Sequence, residues 1–248
     1  MKISKDEKAK VRKRIVESAV HIIGKKGYQE TTMSEIAKHA KIADATIYKY
    51  FPSKERLLFA HSQIRLEEVL ERLKSIEDFN TYTLQEQIHT LIETELEVLE
   101  KDRAFVKNSV NMVFLSGATT MFRETRESKD LFLAMVQDMI DAAVEADEIQ
   151  PPPFKSFLLE LLWDFNVGIL YYWIQDDSKN YANTTQLIDK SLSLMVESLK
   201  AAIFAKAIDL VQFFVRQHLL ARVTAPKGER NFDLEVFKRQ FMKGAENV

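Results

Sequence analysis

An all-α fold is predicted, a compact N-terminal head of short helices followed by a larger helical body. Three observations predict it. Only 6 Gly and 5 Pro interrupt 248 residues, so few helix breakers are present. No segment sustains the apolar–polar alternation of a half-buried strand, and no Asn-Gly or Asp-Gly pair marks a hairpin. Apolar residues instead recur three and four apart along nearly the whole chain.

Composition narrows the class further. Apolar residues make up 46% and charged residues 29%, the balance of a soluble globular protein. Cysteine is absent, which excludes a disulfide framework and thiolate chemistry. The Lys-rich start has no apolar stretch of the signal-peptide kind. The most apolar window, 154–174, is interrupted by Lys155, Glu160, Asp164 and Asn166, so a buried helix is expected there and no membrane span. A cytoplasmic protein is the expectation. The five histidines are scattered without an H-E-x-x-H pair, and no Gly-rich phosphate loop is seen. No catalytic residue, metal or cofactor is expected, and the chain is not read as an enzyme. Charge is uneven: residues 1–60 carry 14 Lys/Arg against 7 Asp/Glu, leaving 21 against 30 for the remainder. A basic head on an acidic body suits phosphate binding at one end, although an uneven solvated surface reads the same way.

The first helix spans Lys5 to Lys26, with an apolar stripe of Val11, Ile15, Ala19, Ile22 and Ile23, and Gly27 ends it. Tyr28 is expected under the next helices. Thr32, Met33, Ser34 and Glu35 form a capping box. Met33, Ile36, Ala37 and Ala40 then give one buried face of about two turns. Lys41 to Ala43 is the turn. Asp44 to Phe51 is a second short helix with Ile47 and Phe51 inside and Tyr48, Lys49 and Tyr50 on its outer faces. Pro52 stops it, and Ser53 opens a fourth helix running to about Ile76.

Two short helices joined by a tight turn make a helix-turn-helix, whose second helix can enter the major groove. The stretch resembles the DNA-binding segment of the TetR family of bacterial transcriptional regulators. The resemblance rests on Ile36-Ala37, Ala40 with Ile42, Thr46-Ile47-Tyr48, Tyr50-Phe51, Ser53-Lys54-Glu55 and Leu57-Leu58, and extends upstream through Ile15, Ala19, Gly27 and Thr31. There are two departures: Lys41 stands where the family usually has a turn Gly, and Ala45 where a Gly is common. A left-handed Lys at the turn would cost about 1 kcal/mol relative to Gly.

The body follows as amphipathic helices over Leu84–Leu99, Lys101–Phe114 and Glu124–Ala146, with Ser116-Gly117 as a break. Pro151-Pro152-Pro153 punctuates the chain before two long apolar helices, Phe154–Gln175 and Thr184 to about Val215. Their apolar surface needs a partner. The resemblance implies that partner is a second copy, packed through 154–175 and 184–215 as a four-helix bundle. Beyond these, helical pattern continues to Val223, a linker covers Thr224 to Asn231, and Phe232 to Lys243 reads as a short helix. The expected domains are 1–52 for DNA, 53–223 for regulation and dimerisation, and 224–248 for the tail.

If the second short helix docks as in the family, Asp44, Ala45, Thr46 and Lys49 face base edges, with Asp44 alternatively a helix cap. Tyr48, Tyr50, Lys41, Lys54, Thr32 and Ser34 are phosphate candidates, with capping the alternative for Thr32 and packing the alternative for the tyrosines. For a small apolar or aromatic effector the candidates are Phe105, Asn108, Met112, Trp163, Asn166, Val167, Leu170 and Trp173. An aromatic stripe at this spacing equally describes plain core. The reading is a DNA-binding homodimer, a repressor by family resemblance, released from a near-palindromic double-stranded operator. The alternative is an all-α small-molecule-binding protein that keeps the head only as structure.

Overall fold

The computed structural model describes residues 4–115, 126–201 and 203–214. Among these residues every regular element is helical. The helices are α1 (Lys5–Lys26), α2 (Met33–His39), α3 (Asp44–Tyr50), α4 (Lys54–Lys74), α5 (Leu84–Glu100), α6 (Arg103–Leu115), α7 (Arg126–Glu145), α8 (Lys155–Trp173), α9 (Ala182–Lys200) and α10 (Ile203–Phe214).

Local chemistry sets most ends. The Ser4 side chain accepts from the Glu7 amide, Asp6 and Glu7 sit in the first turn of α1, and Lys25 and Lys26 in its last. Gly27, at φ 86°, carries the chain out of α1 in a conformation that disfavours any side chain. Capping boxes open α2 at Thr32–Glu35 and α5 at Thr83–Glu86.

Two apolar cores divide the first compact unit, which runs to Ile203. The head core joins Ile15, Ala19 and Ile23 of α1, Ile36 of α2, Ile47 and Phe51 of α3, and Leu57, Leu58 and Ala60 of α4. Burying each large aliphatic chain contributes about 1.5–3 kcal/mol, which is what holds two helices of only two turns in place. The body core begins on the same α4 at Leu66 and gathers α5, α7, α8 and α9. One continuous helix therefore belongs to both cores.

Polar contacts fasten α4 and α6 where the cores meet. Asp102, just before α6, accepts from Arg65 Nε at 2.6 Å and pairs with His61 Nε2 at 2.8 Å, all three largely buried. Burial holds the His61 imidazole below its ordinary range. The Arg103 guanidinium donates to the carbonyls of Trp173 (3.1 Å) and Asp176 (3.0 Å), capping α8 from outside. Asp176 then accepts from the Ser178 amide and from both the amide and hydroxyl of Thr184, which fixes the α8–α9 connection.

The helix expected from Thr184 to about Val215 is two helices, α9 and α10, parted after Lys200. Neither Gly nor Pro stands at the break, and no local sequence feature accounts for it. The first compact unit ends at Ile203, and the rest of α10, from Phe204, belongs to a second unit. Taken by itself, α10 exposes Leu210, Val211 and Phe213. The Ser116-Gly117 break and the expected segments beyond Phe214 lie outside the described residues.

Candidate nucleic-acid interface

The candidate interface centres on the outer face of α3. Ile47 and Phe51 are buried, and the Arg12 guanidinium of α1 lies 5.2 Å from the Phe51 ring centre. This leaves Asp44, Ala45, Tyr48 and Lys49 exposed, with Thr46 and Tyr50 half-buried at the flanks. Tyr48 is 55% exposed, so its ring is not part of the core. Four of the six α3 candidates therefore share an accessible surface, while Tyr50 turns toward Arg12, Pro52 and Arg56.

The turn before α3 closes despite its replaced glycine. Lys41 takes φ 57°. Its amide donates to the Lys38 carbonyl at 3.2 Å and the next amide, Ile42, to Ala37 at 3.0 Å. That pair of bonds is the usual left-handed ending of a helix, here with Lys where Gly is easiest. The Lys41 side chain is exposed beside α3.

Three candidates have neighbours that the sequence did not show. Ala43 is the residue before α3, so Asp44 is not the cap; its carboxylate instead accepts from the Ser34 hydroxyl at 2.6 Å. Ser34 and Asp44 thus brace α2 against α3. Thr32 caps α2 as expected, and Glu35 completes the box while pairing with Lys26. The Lys26 ammonium, helped by the Thr32 amide, holds the exposed Glu35 carboxyl down at about 2. Lys54 is the largest departure. Its ammonium donates to the carbonyls of Tyr28 (2.7 Å) and Thr31 (2.6 Å) and lies 4.4 Å from the Tyr28 ring centre. The buried Tyr28 hydroxyl donates to Glu55 at 2.7 Å. The start of α4 is therefore stitched to the loop before α2, and Lys54 serves the fold before any phosphate.

The effector candidates separate. Phe105 packs in the head core with its ring edge-on to His61 at 4.5 Å. Asn108 donates to the Ile23 and Gly24 carbonyls, closing the end of α1. Both hold head to body, which corrects their grouping with the body's aromatic residues. The Met112 side chain lies outside the described residues. Trp163, Asn166, Leu170 and Trp173 do gather on the body core: Trp163 lies edge-on to Phe132 at 5.5 Å, and Trp173 is fully buried against Tyr181. Val167 is half-buried.

Comparison with known proteins gives the family. Residues 15–61 match the model for bacterial regulatory proteins of the tetR family. Residues 87–214, more than half of the chain, match the tetracyclin repressor-like C-terminal domain. The chain belongs to the TetR family of transcriptional regulators. One TetR-family relative, the fatty acid metabolism regulator protein of Bacillus subtilis, is 33% identical over 187 residues, covering 75% of this chain and 93% of that protein. The regulator YuxN of the same organism is 27% identical over 151 residues, half of its own length. Among solved structures, FadR from Bacillus halodurans has the same fold, with a TM-score of 0.60 at 21% identity over 77% of this chain and 96% of that one. FadR from Bacillus subtilis, solved with stearoyl-CoA, gives a TM-score of 0.57 at 20% identity over 73% and 96%. No helix among the described residues is long and apolar enough to cross a membrane.

This TetR-family chain also carries a feature that was passed over in the sequence. Glu95 occupies an apolar position of α5, seven residues after the buried Ile88 and four after Leu91. Asn166 of α8 donates to it at 2.8 Å. Burial pushes the Glu95 carboxyl up to about 7 against the pull of that amide. A carboxylate standing on an apolar stripe was the available signal.

Proposed function

We propose that the chain is a homodimeric cytoplasmic repressor, released from a near-palindromic operator by a small, largely apolar effector bound in the helical body. The carrying observation is the accessible α3 face, anchored in the basic head by the buried Ile47 and Phe51. Asp44, Ala45, Thr46 and Lys49 are the proposed base-edge group; Tyr48, Tyr50 and Lys41 are the proposed phosphate group. Thr32, Ser34 and Lys54 support that surface through the contacts described above, and any phosphate contact from them is additional.

One two-turn helix reads too few bases for specificity, and a second copy supplies the other half-site about 34–36 Å away, or a multiple of that. The second copy also covers apolar surface that a lone chain leaves wet. On α8, Phe157 is 68% exposed, and Leu161 and Tyr172 follow on the same side; on α9, Leu194 is 69% exposed with Leu187 seven residues before it. Gly168 lies within the α8 seam with open space where a Cβ would be, so another helix can approach closely there. The bound stearoyl-CoA of the B. subtilis structure makes long-chain acyl thioesters the first effector class to try. Release requires that the effector favour a body shape that misplaces the heads, because equal affinity for both states shifts nothing.

The test uses selected operator DNA. The full chain should show a salt-dependent preference for a palindrome and lose it on addition of acyl thioester. Leu194→Glu should give a folded monomer in sedimentation that binds DNA weakly and without that preference. Absence of any palindrome preference in the wild-type chain refutes the reading.

A further inference from the structure

We propose that Glu95 and Asn166 are the polar anchor of the effector site, and that they take an uncharged hydrogen-bonding head group in preference to a free carboxylate. The inference rests on the effector reading above and names the chemistry of its ligand.

The argument starts from an incomplete pair. Asn166 is 1% exposed, and its Nδ2 donates to Glu95 Oε2 at 2.8 Å. Its Oδ1 is buried and has no partner among the described residues. Buried amides nearly always satisfy both ends, so an orphaned oxygen calls for an explanation. The charge state of the carboxyl decides what is missing. An ionised Glu95 accepts from Nδ2 and leaves Oδ1 waiting for a donor. A protonated Glu95 facing the amide donates its hydroxyl to Oδ1 while its carbonyl oxygen accepts from Nδ2, and the pair closes on itself. Only the ionised state leaves a capacity open, at Oδ1. A ligand hydroxyl fills it, and so does the amide N–H that follows the sulfur of a coenzyme A thioester.

The surroundings suit a ligand with an apolar tail. Asn166 stands three residues from Trp163 and four from Leu170, both packed against the body core with part of their surface left open. Phe132 closes one side of Trp163. Glu95 likewise keeps some accessible surface, yet lies deep enough for burial to raise its carboxyl. Among the described residues no Lys, Arg or His contributes to the state of that carboxyl; burial raises it and Asn166 lowers it. A ligand carboxylate placed here would meet a second acid with no cation to offset either, which is why the site selects against it. A purely structural pair, serving only to fix how α5 meets α8, predicts no such selection.

Three probes with the same 16-carbon chain separate the possibilities: the coenzyme A thioester, the primary alcohol and the free acid. Binding to the full-length protein is followed through Trp163 and Trp173 fluorescence at pH 8, with release from operator DNA as a second readout. The wild-type chain should bind thioester and alcohol at least tenfold more tightly than the acid. Glu95→Gln keeps the shape and removes the charge, and should shrink that preference to threefold or less. Asn166→Leu should weaken thioester and alcohol at least tenfold while operator affinity without ligand stays within twofold. Circular dichroism checks folding, and if Asn166→Leu does not fold, Glu95→Gln alone decides. Binding of all three probes with the preference absent, reversed or untouched by Glu95→Gln overturns the anchor and leaves the effector reading standing. Failure of every probe to bind the wild-type chain overturns the acyl-effector reading itself, and the anchor with it.

Discussion

Replacing Lys54 with Met tests how the DNA-binding head is held. The ammonium donates two charge-assisted hydrogen bonds, at 2.7 Å to the Tyr28 carbonyl and 2.6 Å to the Thr31 carbonyl, and faces the Tyr28 ring. Hydrogen bonds of this kind are each worth about 1.5–3 kcal/mol, and an exposed cation–π contact about 0.5–1 kcal/mol. Lys54 is only half-buried, so solvent replaces part of this, and the loss should be about 2–3 kcal/mol. For a chain of this size, each kcal/mol moves the melting temperature by about 2–4 °C, so calorimetry should show a fall of about 5–10 °C. Operator affinity should drop because the 28–31 loop leads directly into the Thr32 cap of α2. The slope of log affinity against log salt should hardly change, since no phosphate contact has been removed. The opposite pattern refutes the reasoning. An unchanged melting temperature with a slope reduced by about 0.9 would make Lys54 a phosphate contact and the stitch irrelevant.

Other perturbations follow from the same geometry. Lys41→Gly relieves about 1–2 kcal/mol of left-handed strain against about 0.5–1 kcal/mol of added chain entropy, so melting should rise by roughly 1–4 °C; a fall would contradict the turn described. The same substitution should lower the salt slope of operator binding by about 0.9 if Lys41 meets a phosphate. Glu95 is an acid raised from 4.5 to about 7 on folding, so the folded chain keeps a proton that the unfolded chain releases between those values. Stability should therefore be highest for this group below pH 4.5 and fall by about 3 kcal/mol as pH rises to 7, a component that Glu95→Gln removes; urea titrations with parallel pH profiles for both proteins would exclude it. Asp102→Ala strands the largely buried Arg65 and should cost about 3 kcal/mol in chemical denaturation, with less than 1 kcal/mol showing that the α4–α6 fastening is idle.

The head was almost wholly legible in the chain. The capping box at Thr32, the apolar spacing of Ile36, Ala37, Ile47 and Phe51, and the stops at Gly27 and Pro52 are local signals, and each is set by residues within one or two turns. The outward set of α3 followed from the same periodicity. Lys54 and Asp44 make contacts with residues 26 and 10 positions away, which no local pattern encodes. Phe105 and Asn108 were grouped with the body aromatics because helical spacing says which face is buried and not against what. Contact across 84 residues put them under the end of α1. Glu95 broke the apolar pattern of α5 in plain view, but its meaning needed Asn166 opposite.

By itself the sequence determined the helices, their caps, the basic head and the surface that α3 turns outward, because propensity, periodicity and charge are properties of neighbours along the chain. Tertiary structure alone decided that α4 serves two cores, that Lys54 and Arg65 are fastenings, and that an acid and an amide meet inside the body with one bond unmade. Those are distances between segments far apart in the chain, and they exist only once the apolar faces have closed on one another.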